Sequence, residues 1–103
     1  MRRVLARITL LSRSSGGRSQ PIPKRAFGCP IFFDGIPQLS SHGYDARLLV
    51  HQYGQPISPG EVARGVPMVF LSADEVMPHM HPGVKFRLWE GKIIGHGEVL
   101  EVE

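Results

Sequence analysis

Three groups of residues in this sequence have side chains able to do chemistry. The first is the run "HMH", in which His79 and His81 stand two apart. On a strand both imidazoles would share a face, and His96 or Glu98 could complete a tetrahedral metal set. Pro78 and Pro82 make the segment a loop instead, so neither a metal nor another cofactor is expected. The second group is Cys29 with the adjacent carboxylates Asp74 and Glu75. Cys29 is the one cysteine, so no internal disulfide is possible, and it stands beside Pro30 with no neighbouring histidine to take its proton. It reads as a small buried filler in a reducing cytosol. On a strand Asp74 and Glu75 point to opposite faces and make no acid–base couple. No Ser, His and Asp order is distinctive, and the expectation is a protein that is not an enzyme.

The third group is basic. "RSSGGRSQPIPKR" places Arg13, Arg18, Lys24 and Arg25 among glycines and serines. Guanidinium forks pair with phosphate oxygens, and small residues let a backbone approach closely, so this composition suits nucleic-acid phosphates. It equally suits a solvated loop. Seven cations (Arg2, Arg3, Arg7, Arg13, Arg18, Lys24 and Arg25) precede the first acid, Asp34, and beyond Asp34 five basic and eight acidic residues follow. Such asymmetry marks a face that meets a polyanion. An acid-free N-terminus rich in Arg and Ser also has the composition of an organellar targeting peptide, but here it runs on into pattern that the fold needs. Arg7 interrupts the apolar stretch that a secretory signal requires. No apolar run approaches the roughly 18 residues of a membrane span, so no membrane partner is expected and the reading is cytoplasmic.

The elements that must carry these residues are strands. The 103 residues fit one domain, and 12 Gly with 9 Pro would break long helices repeatedly. "VLARITLL" (Val4–Leu11) alternates, with Val4, Ala6, Ile8 and Leu10 on one face. Residues 12–25 form a loop by composition. Strands are expected at Cys29–Gly35, Ala46–Gly54 and Val66–Val76, with "GIPQLSSHGYD" irregular and exposed and "MPHMHPG" a break. A hairpin from Gly83 to Glu103 closes the set, its turn at Glu90-Gly91, with Phe86 and Leu88 facing one way and Lys85, Arg87 and Trp89 the other. Trp89 either lies outside the barrel next to that turn or packs under the "SRSSGG" loop. Many short strands between Gly- and Pro-rich turns predict an all-β sandwich or barrel, and closure of a barrel would dispose of exposed edges.

Four stretches, "ITLLSRSSGGRSQPI", "FGCPIFF", "ISPGEVARGVPMVFL" and "GVKFRLWEGKIIGHGEVLEV", resemble in order and spacing the C-terminal domain (domain III) of translation elongation factor Tu and related translation GTPases. The landmarks are Gly16-Gly17-Arg18, Gly28 with Pro30, Pro59-Gly60-Glu61, and Phe86 through Gly97. Two places depart from the family: Cys29 stands where an arginine usually precedes the proline, and the last turn is one residue shorter. The resemblance covers nearly the whole chain and implies a closed six-stranded antiparallel β-barrel spanning residues 1–103 as a single stand-alone domain. It also implies tRNA contact near Gly17, Arg18, Glu90 and Gly91, and a barrel face that in the family packs on a GTPase domain. No "GxxxxGK[ST]" loop is present, so no nucleotide is expected.

The reading is therefore a non-catalytic binding module. RNA (tRNA or structured RNA) is the expected partner, through Arg13, Gly17, Arg18, Lys24, Arg25, Glu90 and Gly91. The alternative is a protein partner or a homodimer on the face that the family buries.

Overall fold

A computed structural model describes residues 2–103. Six strands, β1 (Val4–Leu10), β2 (Ala26–Asp34), β3 (Tyr44–Leu49), β4 (Val62–Phe70), β5 (Lys85–Trp89) and β6 (Ile93–Val102), form a closed barrel in the order β1-β4-β3-β2-β5-β6. Every neighbouring pair is antiparallel, and β1 closes the ring by pairing with both β4 and β6. The fold class read from the sequence is the one observed.

Alternation drives the closure. Val4, Ala6, Ile8 and Leu10 all point inward, as do Phe86 and Leu88, while Lys85, Arg87 and Trp89 are exposed. Full burial of one Val, Leu, Ile or Phe contributes about 1.5–3 kcal/mol, so the stacked inward rows supply most of the driving force. Phe33 lies at the centre of an aromatic cluster, with ring centroids 6.2 Å from Tyr44, 5.8 Å from Phe70 and 6.2 Å from Phe86.

Three connections differ from the sequence expectation. The strand expected over Ala46–Gly54 stops at Leu49, and Val50–Tyr53 turns into one helical turn, α1, whose Val50 is fully buried. The strand expected over Val66–Val76 instead runs Val62–Phe70, with Gly65 the extra residue of a bulge opposite Ala6 and Arg7. Ala73–Val76 is a second helical turn, α2, so Asp74 and Glu75 lie on a helix rather than a strand. Within the segment expected to be exposed, Pro37–Leu39 forms a 3-10 turn that buries Leu39 at the mouth of the barrel. In each case an apolar side chain has to cover an open barrel end, and a helical turn carries it inward where an extended chain would overshoot.

Because all strands alternate in direction, the connections sort into two ends. Residues 11–25, 50–61 and 90–92 share one end, and residues 35–43 and 71–84 share the other.

Candidate nucleic-acid interface

The first of these ends carries Arg13, Arg18, Lys24, Arg25 and Lys92 against only two carboxylates, Glu61 and Glu90. Its connections are tied to one another by the backbone. Leu11 N–H donates to Ile94 O at 2.9 Å, Leu10 N–H to Glu61 O at 3.0 Å, and Ile22 exchanges two hydrogen bonds with Ile57. After β1 the chain makes a single 3-10 turn (Arg13–Ser15), capped by the Ser12 hydroxyl, which accepts from Ser15 N–H at 3.2 Å. Gly17 then folds back so that its N–H reaches Ser12 O at 2.8 Å. A Cβ at Gly17 would collide with the Leu11 carbonyl, so a glycine is required there for close approach.

That return delivers Arg18 to the β5–β6 turn. Arg18 Nη1 donates to Glu90 Oε1 at 2.5 Å and to Oε2 at 2.7 Å, and its Nε donates to Gln20 O at 3.1 Å. The guanidinium also lies 5.0 Å from the centroid of the Phe27 ring, a cation–π contact. Held on three sides, the Arg18 side chain is only 17% exposed. Glu90 is presented by a tight reversal in which its N–H bonds Lys92 O at 2.8 Å and Gly91 takes φ +70°, a left-handed conformation that favours glycine. Lys92 Nζ sits 3.4 Å from Gly17 O. Arg18, Ser19, Gln20, Glu90 and Lys92 thus line one open cleft of about 300 Å³.

Of the sequence-expected residues, Gly17, Arg18, Glu90 and Gly91 are brought together here. Arg13 stands on the exposed 3-10 turn of the same loop, and Lys24 and Arg25 are exposed where the chain turns into β2. None of these three cations is ion-paired among the described residues. Lys92 was not among the sequence-expected residues, although its place directly after Glu90-Gly91 in the hairpin turn is the signal that could have found it. The remaining N-terminal cations lie elsewhere and are compensated: Arg2 by Asp74 at 2.9 Å, Arg3 by Glu103 at 2.6 Å and Arg7 by Glu98 at 2.9 Å.

Cys29 points inward, 4% exposed. Burial, reinforced by the Glu90 carboxylate and partly opposed by Arg18, pushes its thiol up to about 12. Such a thiol stays protonated at neutral pH and is a packing group, not a nucleophile.

At the other end Glu75 Oε2 accepts a hydrogen bond from Tyr44 Oη at 2.8 Å, which raises the Tyr44 pKa, and Asp74 binds Arg2. His79 ends a 3-10 turn and His81 Nδ1 lies 3.0 Å from Pro82 O, whereas His96 is on the outer wall opposite Arg87. No cluster of three or more His, Cys, Asp or Glu side chains suited to a metal occurs among the described residues. No helix among them is long and apolar enough to cross a membrane. No protein-family model and no curated protein matches this chain.

Proposed function

We propose that this protein is a non-catalytic RNA-binding module, resembling the C-terminal barrel of elongation factor Tu, that holds tRNA or another structured RNA by its phosphates at the basic end of the barrel. One observation carries this reading. Arg18 and Glu90, 72 positions apart and drawn from two different motifs of the resemblance, meet in a two-point ion pair that lines a single cleft with Lys92. A surface ion pair contributes little to stability, so its fixed geometry has another use. Glu90 and the Gln20 carbonyl orient the guanidinium, Lys92 shares its cleft, and the unpaired Arg13, Lys24 and Arg25 of the same connection are further sites for phosphate. An RNA bound this way displaces counterions at each phosphate contact.

The test is a titration of labelled tRNA at low and moderate salt, with heparin as a sequence-blind polyanion. Saturable binding that prefers tRNA and weakens steeply with salt supports the reading, because each phosphate contact releases roughly one counterion. Charge reversal at Arg18 and Arg25 should abolish it. Binding that heparin removes completely would reduce the basic end to a generic polyanion patch.

A second reading is favoured by a groove of about 540 Å³ on the barrel wall, lined by Ala26, Leu49 and Val69 between Arg3, Arg47 and Gln52. An apolar floor with polar walls suits a protein partner or a second copy. Association there would be insensitive to salt and to the charge reversals above.

A further inference from the structure

The chain has one tryptophan, and the fold leaves it outside. Trp89, the last residue of β5, is 40% exposed, whereas every other aromatic side chain is buried or half-buried. Among the described residues its indole N–H donates to no acceptor, no second ring stacks on it and no guanidinium covers its face. An indole left in water forgoes burial free energy, and here the fold makes no other use of it.

Its surroundings narrow what would cover it. The next residue, Glu90, lines the cleft with Arg18 and Lys92, so Trp89 adjoins that cleft along the chain. The outward neighbours on its own strand are Arg87 and Lys85, both exposed and charged. Of the other large exposed apolar residues, Val62, Leu71, Leu100 and Val102, none is on β5 or in the β5–β6 turn, and Ile93, paired with Trp89 across the hairpin, is half-buried. A flat π face with one free donor, next along the chain to a cleft that carries Arg18 and Lys92, suits a nucleobase whose own phosphates lie alongside.

We propose that Trp89 is the stacking platform for an unpaired nucleobase of an RNA whose phosphates occupy the adjoining Arg18–Glu90–Lys92 cleft; this rests on the RNA-binding reading above. The base is unpaired because bases inside a duplex already stack on their neighbours and offer no free face. Because every base has a π face, the site tolerates any of them.

Two RNAs and two signals test this. A labelled blunt hairpin is compared with the same hairpin carrying a short single-stranded tail, with label anisotropy reporting binding and Trp89 emission reporting stacking. Trp89 is the sole tryptophan, so the emission belongs to it alone. The tailed hairpin should bind roughly tenfold more tightly and quench the emission. Trp89→Ala should erase the advantage of the tail while leaving blunt-hairpin affinity unchanged, which also shows that the variant folds, and Trp89→Phe should restore part of it. Equal effects of Trp89→Ala on the two RNAs, or emission that does not change on binding, overturn the stacking role and leave the RNA reading standing. If neither hairpin binds, both fall.

Discussion

The two ends of the barrel are built from different materials. At one, the connections 35–43 and 71–84 contain no lysine or arginine, and beneath them Phe33, Tyr44, Phe70 and Phe86 pack ring against ring, with Val76, Met77 and Met80 closing over the opening. At the other, backbone bonds tie the loops that carry five cations, and one ion pair fixes Arg18 among them. Apolar burial is non-directional and large, and it can anchor a structure without presenting anything outward. Hydrogen-bonded charge contributes less to folding but fixes donors in space where a partner can meet them. Both ends are closed by buried apolar side chains, Ile22, Val50 and Ile57 at the basic one, but only that end sets cations outward, and it is there that the proposed recognition is placed.

Substitutions should separate the two. Phe33→Ala at the aromatic end should cost about 3–5 kcal/mol in chemical denaturation. Folded Phe33→Ala protein should keep the RNA affinity of the parent, and a loss there would break the division of labour. Arg18→Ala at the basic end should cost about 1 kcal/mol, since water can replace the guanidinium at the half-exposed Glu90. It should lower RNA affinity as well, and Arg18→Lys should restore charge without the second bond from Nε to Gln20 O, recovering stability only in part.

Alkaline titration sharpens the contrast. With its thiol pushed up to about 12 from the ordinary 9.0, native Cys29 keeps a proton that the unfolded chain has lost. Stability is thus intact below pH 9 and falls as pH rises toward 12, by about 1.4 kcal/mol per unit, and Cys29→Ala should flatten that limb. Tyr44, raised by its bond to Glu75 at the opposite end, acts with the same sign: its contribution is full below its unfolded value and is lost as pH rises through the folded one. The smallest effect belongs to the wall between the ends. Asp34 and Arg87 are about half exposed, so Arg87→Ala should shift stability by no more than about 1 kcal/mol in denaturant midpoint measurements.

Strand alternation was legible because period two is local: Val4, Ala6, Ile8 and Leu10 declare their face without reference to the rest of the chain. The helical turns at Val50–Tyr53 and Ala73–Val76 were not, since each continues an apolar run and is bent inward by the need to close a barrel end. Arg18 and Glu90 were each singled out by resemblance, but their pairing depends on how the loop returns at Gly17. Linear charge was the least faithful guide. Seven leading cations suggested one basic face, yet Asp74, Glu103 and Glu98 return from far along the chain to neutralise Arg2, Arg3 and Arg7. Of the seven, only Arg13, Arg18, Lys24 and Arg25 gather at one end.

The closing strand carries a consequence for how the protein is made. β1 is synthesised before the other five strands, yet its partners are β4 and β6, so one of its edges waits for β4 and the other for the last strand to leave the ribosome. Until then the nascent sheet β1-β4-β3-β2-β5 has two open edges, at β1 and at β5, ready to recruit strands from other chains. Ring closure is an all-or-none final event that turns a sticky ribbon into a molecule without edges, so folding should be slow and sharply cooperative for its size.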